Sequence, residues 1–590
     1  MGYLKTDRLL ADSAMFDWFN KKPDSKTDIV VQGINQSIVT VHTGDTHIHN
    51  HEKPEQEIVP PNLYHLPQPT TALIGRKTEL AQLTEAFTNP NIRLAIIVAA
   101  GGIGKSALTD EWLIEIGKPE HNYYGKTRVF GWSFYAQGTH TIYANSQEFF
   151  NNVLPFLGIS EIPKDEIEKA RLLARCLQQQ PCLLILDGLE PLQYAQNLSA
   201  MNGELQDTAL KEFIACFRRT AGNSFVLFSS RQPLVELKRW QPENYLSLDL
   251  KTLPHDDGAA LLQTLGVTGK PQERLAISQD LNGHALSLVL LGHLLKEYHD
   301  GDPRYAKELP PLTSLPLSKR GIEGDYINSD AEQDSRHAVR VLDYYDSLQD
   351  DTSRRFLQLL GLFDRPMNAQ EKAVLIENAQ HAKPLRALTA KQWQTVEQRL
   401  EKSGLLLGKK GTFDRLEWNT HPIIRSFFGQ KFKENHPEAF KQAHRVLFDY
   451  YQKLPKKGFP DTLEEMQPLY RAVAHGCLAG EYQKALDKVY WKRILRGAEH
   501  YSWHQLGAYA QDITALTAFF PSGWGQLDNT NLRKAAQSLL LSDASSCLMS
   551  LGRLQEAVEP SLAAIKLSEE QSDWRNATIA AQNLMALYLT

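Results

Sequence analysis

The 590-residue sequence is poor in cysteine, lacks long apolar runs and shows no excess of one charge, and each scarcity excludes a class of protein. Its five cysteines (Cys176, Cys182, Cys216, Cys477, Cys547) are scattered, with no C-x-x-C pair and no metal-ligand spacing. That excludes a disulfide framework and a zinc module, and reduced thiols are expected. The longest apolar stretch, around Ala285–Leu295, is broken by Gly292 and His293. It falls short of the roughly 18 residues a spanning helix needs. Neither a transmembrane helix nor a secretory signal is expected, and the location implied is cytoplasmic. The opening MGYLKT fits the myristoylation hexapeptide, a pattern too permissive to carry weight. With 64 basic and 69 acidic residues the net charge is −5, so the balance calls for neither nucleic acid nor an anionic membrane as partner.

The length leaves room for roughly three to five domains. Residues 1–25 suit one short helix. Within 26–55, the β-branched, alternating, Gly-punctuated segment DIVVQGINQSIVTVHTGDTHIHNH predicts a hairpin. His47, His49 and His51 alternate along it, which reads better as the polar face of a hairpin than as a metal site. A tether follows (Pro60, Pro61, Pro67, Pro69). From about 70 to 250, short apolar strands alternate with helical segments, the pattern of a parallel α/β sheet. Strands are expected at Leu94–Val98, Arg128–Phe134, Cys182–Leu186, Phe225–Phe228 and Leu246–Leu250. Residues 254–300 read as helices, and Pro303, Pro310, Pro311 and Pro316 mark a boundary. Residues 336–430 read as helices followed by an extended, wing-like stretch, and 437–590 as helical throughout. GEYQKA (Gly480–Ala485) and GRLQEA (Gly552–Ala557) share a pattern at a separation close to two tetratricopeptide periods of about 34 residues. In such repeats the glycine and alanine are expected where two helices cross closely.

Chemistry concentrates in three segments. AAGGIGKS (residues 99–106) follows an apolar run and opens a helix expected over Ala107–Ile116. Glycines 101, 102 and 104 let backbone N–H groups curl around a polyphosphate, Lys105 can reach its β/γ-phosphates, and the Ser106 hydroxyl can ligate Mg²⁺. Ala99 stands where the phosphate-loop pattern has its first glycine, and is expected to constrain the turn. CLLILDGLE (Cys182–Glu190) brings Asp187 to the end of a buried strand, where a carboxylate can hold Mg²⁺ through water. Glu190 can deprotonate the attacking water or simply cap the segment that follows. FVLFSSR (Phe225–Arg231) ends another buried strand on Arg231, which could tell ATP from ADP by a charge-assisted contact or form an ordinary salt bridge.

LIGRKTEL (Leu73–Leu80), the phosphate loop, WSFYAQG (Trp132–Gly138), LLILDGLE, SSR and NGHALSL (Asn282–Leu288) occur in an order that resembles STAND-class signalling NTPases. That class includes the NB-ARC and NACHT proteins of plant and animal immunity and many bacterial relatives. YYDSL (Tyr344–Leu348), LGLFDRP (to Pro366) and NTHPIIRSFF (Asn419–Phe428) resemble its winged-helix domain, and bacterial members with C-terminal tetratricopeptide repeats look most similar. The resemblance implies a short N-terminal segment (1–69), a P-loop α/β nucleotide domain with a parallel sheet (70–252), a helical domain (253–302), a linker (303–335), a winged-helix domain (336–436) and a helical TPR-like solenoid (437–590). It places Ile74, Gly75 and Arg76 along the adenine and ribose. Gly101, Gly102, Ile103, Gly104, Lys105, Ser106 and Ala107 fall around the phosphates, Ser106 and Asp187 on Mg²⁺, and Arg231 at the sensor position. Gly283 marks the helical-domain motif, whose usual proline is Ala285 here. His421 falls where a winged-helix histidine touches the β-phosphate of ADP, although it precedes Pro422 rather than standing in a Met-His-Asp triplet.

The function implied is a weak ATPase used as a switch that binds ADP or ATP with Mg²⁺. ADP would hold it closed, a protein ligand on the repeats would release it, and ATP would support homo-oligomers. The setting implied is bacterial antiphage defence, with a phage protein as the sensed ligand. Residues 1–69 could recruit a separately encoded effector, or the sequence is a fragment of a longer protein. A STAND-type transcription regulator is the alternative, suggested by a basic wing (Lys402, Lys409, Lys410, Arg415). A mechanical AAA+ ATPase is a third reading. At NLMALYLT (Asn583–Thr590), Leu584, Leu587 and Tyr588 share one helical face expected to seek a partner helix.

Overall fold

A computed structural model describes residues 29–32, 38–41, 59–67, 69, 71–134, 146–194, 203–312, 329–407, 416–521, 523–527 and 531–589. The chain divides into a small unit, Met1–Val59, and a large one, Pro60–Thr590. In the small unit, strands β1 (Ile29–Gln32) and β2 (Ile38–Val41) pair antiparallel, Ile29 opposite Val41 and Gln32 opposite Ile38. This is the hairpin expected from the alternating β-branched run. His47, His49, His51 and the helix expected over 1–25 lie outside the described residues.

The large unit begins with a parallel α/β layer. Helix α1 (Lys77–Thr88) leads into strand β3 (Leu94–Val98) and helix α2 (Lys105–Ile116). Strand β4 (Arg128–Ser133), helices α3 (Gln147–Phe156) and α4 (Glu166–Gln179), strand β5 (Cys182–Asp187), helix α5 (Thr208–Arg219) and strands β6 (Phe225–Ser230) and β7 (Tyr245–Asp249) follow. The sheet order is β4-β5-β6-β3-β7, with every pairing parallel. Helices cover both faces, so the inner strands read as continuous apolar runs. Alternate residues feed two cores: in β6, Val226 and Phe228 join one cluster, and Phe225 and Leu227 join the other. Asp165 and Asp207 start α4 and α5 by accepting the N–H of Glu168 and Leu210. Strand β6 stands between β3 and β5. The phosphate loop after β3 and the carboxylates after β5 are therefore joined across the end of β6.

Helices α6 (His255–Thr264), α7 (Pro271–Asp280) and α8 (Ala285–His299) form a helical domain. Helices α9 (Ser329–Leu348) and α10 (Asp351–Leu360), the two-residue strand β8 (Met367–Asn368), helices α11 (Ala369–Asn378) and α12 (Ala390–Lys402), strand β9 (Glu417–Trp418) and helix α13 (Pro422–Asn435) come next. Strands β8 and β9 pair antiparallel. Of the extended stretch predicted here, the described residues show β9 and an antiparallel bridge between Leu407 and Asn419, while residues 408–415 lie outside the described residues. Lys402 ends α12, while Lys409, Lys410 and Arg415 lie outside the described residues. Gly361 and Gly429 sit back to back: a Cβ on Gly361 would stand 2.4 Å from the Gly429 nitrogen, so α10 and α13 approach through their backbones. Arg425 donates to the Asn419 side chain (2.7 Å) and the Thr420 carbonyl (3.2 Å), fixing the turn that precedes α13.

The remainder is helical: α14 (Pro437–Lys453), α15 (Leu463–Leu478), α16 (Tyr482–Lys484) continued by the π-helical run Ala485–Ile494, α17 (Tyr501–His504), α18 (Tyr509–Thr517), α19 (Lys534–Ser550), α20 (Leu554–Glu570) and α21 (Trp574–Leu589). The shared hexapeptides start second helices of helix pairs, but their glycine plays another part than expected. Gly480 (φ 77°) and Gly552 (φ 71°) are left-handed turn residues just after α15 and α19, and no neighbouring helix atom comes within 3.4 Å of an added Cβ. The alanines do mark crossings. Ala485 and Ala557 are fully buried, and the Ala485 methyl lies 2.9 Å from a Cβ added at Gly476. On α21, Leu587 is buried and Leu584 packs against the same core, whereas Tyr588 is exposed. The apolar face expected to want a partner is thus largely satisfied within the chain.

This region also touches the α/β domain. The Tyr194 hydroxyl donates to Glu556 (2.7 Å), which Arg553 holds with two further hydrogen bonds of 2.7 and 2.6 Å. Among the described residues no helix is long and apolar enough to cross a membrane. None of the five cysteines is in a disulfide.

Candidate functional site

The phosphate loop leaves β3 at its C-terminal end and runs into α2. Gly102 (φ 80°) and Gly104 (φ 110°) take the left-handed backbone that lets successive N–H groups converge. Ala99 has no positive φ, and its N–H donates to the Ser230 carbonyl at 3.0 Å. The constraint expected from losing the first glycine is absent, because that position keeps an ordinary backbone. Helix α2 begins at Lys105, two residues earlier than expected, so Ser106 and Ala107 lie in its first turn. The Lys105 ammonium donates to the Ala99 carbonyl (2.6 Å) and lies 3.8 Å from Glu190. A Cβ added at Gly104 would meet nothing within 4 Å, so that side of the loop faces open space.

Asp187 ends β5 and is buried. It accepts hydrogen bonds from Ser229 of β6 (2.6 Å) and Ser133 of β4 (3.3 Å). Burial pushes its carboxyl above the usual range and the charge of Glu190 adds to this, while the Ser229 hydroxyl and the Lys105 charge pull the other way. Glu190 lies 3.8 Å from Lys105 and 3.8 Å from the Arg231 guanidinium, yet both its oxygens are buried without a hydrogen-bond partner. Arg231 also flanks the loop: a Cβ on Gly101 would stand 3.3 Å from its guanidinium carbon. Lys105, Asp187, Glu190 and Arg231 therefore converge on one end of the sheet.

Groups from the helical domains close on the same point. His421 caps α13, its Nδ1 accepting the Ile423 N–H at 3.2 Å. Burial first, then the charges of Arg231, Arg425 and Lys105, depress its pKa to about 3, which keeps the ring neutral. Gly283 (φ 64°) packs directly under the Leu253 carbonyl, where a Cβ would come within 2.1 Å. Its glycine is needed for the turn into α8. Ile74 packs against the core of the helical domains. A Cβ on Gly75 (φ 69°) would collide with Asp257 of α6 at 2.7 Å. Arg76 is buried, pairing with Glu79 (2.9 Å) and donating to the Lys251 carbonyl. The 74–76 segment thus fastens the α/β domain to the helical domain. Ile103 is buried beneath the loop.

Sequence reading missed Ser133, Ser229 and His284. The two serines hold Asp187. His284 touches the loop itself, its Nε2 lying 3.0 Å from the Gly101 carbonyl. A hint was available in NGHALSL, where His284 and Ser287 stand three apart, the spacing of a cap and the N–H it accepts. Of WSFYAQG, residues 135–138 lie outside the described residues.

A bound polyphosphate and cation fit these residues. The two buried oxygens of Glu190 have no hydrogen-bond donor, the Asp187 carboxyl is raised by burial, and the loop's glycine backbone forms a nest for an anion. Lys105 and the N–H groups of the loop would hold the phosphates, and Ser106 with Asp187 would hold Mg²⁺. The metal would neutralise charge developing on the phosphates.

No family model matches the chain. A curated relative, an uncharacterized WD repeat-containing protein of Nostoc sp. (strain PCC 7120), is 25% identical over 238 residues, which is 39% of this chain and 18% of the relative. The chain therefore spans less than a fifth of that relative's length. Among solved structures, a Signal Transduction ATPase with Numerous Domains (STAND) protein with a tetratricopeptide repeat sensor from Pyrococcus horikoshii is 15% identical, with a TM-score of 0.43 over 90% of this chain and 69% of that one. A Walker-type ATPase of Pyrococcus abyssi is 13% identical at a TM-score of 0.28, covering 61% and 98% of the two chains. The Aeropyrum pernix Orc1 protein, solved in complex with DNA, is 16% identical at 0.24, covering 62% and 94%. Likeness at this level leaves function to the geometry of the site.

Proposed function

We propose that this protein is a nucleotide-dependent switch of the STAND class, binding ADP or ATP with Mg²⁺ and hydrolysing ATP slowly. One observation carries the reading: Lys105, Asp187, Glu190 and Arg231 converge on a phosphate loop that His284 and His421 approach from two helical domains. A site lined by three domains differs in shape between their closed and open arrangements, so nucleotide identity biases the equilibrium between them. His421 reads the β-phosphate of ADP in the closed state, and Arg231 the γ-phosphate of ATP. Moving such a switch from mostly closed to mostly open takes about 5.5 kcal/mol of differential binding, shared between nucleotide and a protein ligand on the repeats. On this reading residues 336–436 are a winged-helix domain, activation produces homo-oligomers, and the setting is bacterial antiphage defence with a separately encoded effector.

Extraction of purified protein should release ADP or ATP, and Lys105→Ala should lower affinity by about 100-fold or more, because a buried charge facing phosphate is lost. Asp187→Asn should bind nucleotide but hydrolyse it poorly. No bound nucleotide in the wild type, together with no binding at millimolar ATP and Mg²⁺, would end the proposal.

A further inference from the structure

The contact between α8 and the phosphate loop is more than packing. His284 is fully buried and caps α8: the Ser287 N–H (3.2 Å) and the Ser287 hydroxyl (2.6 Å) both stand at its Nδ1. A ring nitrogen that accepts a backbone N–H carries no proton, so in the neutral ring the proton is on Nε2. Nε2–H therefore donates to the Gly101 carbonyl at 3.0 Å. One residue further along the loop, the Leu286 N–H donates to the Gly102 carbonyl at 2.9 Å. Two successive carbonyls of the loop are thus held by the first turn of a helix in another domain.

In a planar trans peptide the C=O and the following N–H point in opposite directions. Holding the Gly101 carbonyl toward α8 aims the Gly102 N–H away from it, and holding the Gly102 carbonyl does the same for the Ile103 N–H. The approach is close enough to dictate sequence. A Cβ on Gly102 would stand 2.8 Å from the His284 ring and 2.9 Å from the Leu286 Cβ. Gly102 therefore serves two demands, a positive φ and contact with α8.

We propose that His284 is a positioning residue for polyphosphate: its Nε2–H presets the Gly101–Gly102 peptide so that the loop's N–H groups already face the anion. This rests on the reading of the loop as a nucleotide site. A peptide left to rotate must be ordered on binding, and that cost appears as lost affinity.

The two ring nitrogens can be tested separately. An Asn at 284 keeps the cap through its short amide but cannot reach Gly101, whereas a Gln places its amide near the Nε2 position and sacrifices the cap. His284→Asn should leave the melting temperature close to wild type and weaken ADP and ATP binding about fivefold to tenfold, the range for one lost hydrogen bond plus ordering of the loop. His284→Gln should restore most of that affinity while melting lower. Titrations with ADP, ATP and adenosine on the full chain provide the readout, and the loss should be confined to the phosphorylated ligands. His284→Asn binding ADP as wild type does, while wild type binds tightly, would overturn the positioning role. Failure of the wild type to bind any nucleotide would instead overturn the site reading beneath it.

Discussion

Two glutamates of this chain lie buried beside arginines, and they are satisfied very differently. Glu371, at the start of α11, receives Arg365, the Tyr451 hydroxyl (2.6 Å) and the Asn368 N–H (2.9 Å). Burial alone would raise its carboxyl, but the Arg365 charge and these donors outweigh burial and hold it below the usual range. Glu190 has two cations at 3.8 Å and no donor on either oxygen. A carboxylate with donors on both oxygens, as Glu371 has, is part of the scaffold. One that faces two cations yet accepts no hydrogen bond keeps its lone pairs open, which suits the proposed nucleotide site better than a scaffold role.

The comparison breaks first on stability. Glu371→Ala should cost about 3–5 kcal/mol, since the buried Arg365 loses its counter-charge and Tyr451 an acceptor. Glu190→Gln keeps the side chain's shape and loses no hydrogen bond, but it removes the charge facing Lys105 and Arg231. It should cost about 1–2 kcal/mol, less than Glu371→Ala, while ATP turnover falls sharply. Urea melts of both variants with a turnover assay would decide. Equal destabilisation would mean that Glu190 is scaffold as well.

A second test uses acid. Burial, with the charge of Arg340, holds His337 at about 4, and burial with Arg355 holds His381 at about 4. Both stand near 6.5 in the unfolded chain. A depressed pKa means that the unfolded chain takes up the proton first. The stability these rings contribute is therefore complete above about pH 6.5 and is lost as pH falls toward 4. At pH 5 each should cost about 2 kcal/mol. His381 accepts from Arg355 (3.2 Å) and pairs with Gln358 (2.7 Å), so His381→Gln should flatten the loss between pH 6.5 and 5 by one proton's worth. Parallel stability–pH curves for the two proteins would show that the ring does not titrate in this window.

The sheet and its site were legible because apolar runs and glycines act locally. All five strands lie within two residues of expectation, as buried parallel strands leave little choice of register. Lys105, Asp187 and Arg231 were legible because each closes a strand or opens a helix. What escaped depends on which strands become neighbours. Ser229 reaches Asp187 only because β6 lies beside β5, and His284 reaches Gly101 only because α8 docks on the loop. Likewise Ala99 and Gly480 were misjudged because pattern matching assigns a glycine to a motif without saying whether φ or crowding requires it. In this chain Gly480 answers to φ and Gly361 to crowding.

The smallest effect concerns the segment that carries Glu190. Four residues on, the Tyr194 hydroxyl donates to Glu556 of α20, joining the α/β domain to the C-terminal helices. Like Glu371, Glu556 is a satisfied carboxylate, for Arg553 already binds both its oxygens. Losing the tyrosine therefore leaves no stranded charge, and Tyr194→Phe should cost only about 1 kcal/mol. Arg553 remains as partner, so Glu556→Gln should also be mild, and a double-mutant cycle between the two should return a coupling of about 0.5–1 kcal/mol. A coupling near zero would show that the contact holds nothing together. A coupling well above this range would make this single hydrogen bond a principal tie between the segment after β5 and α20.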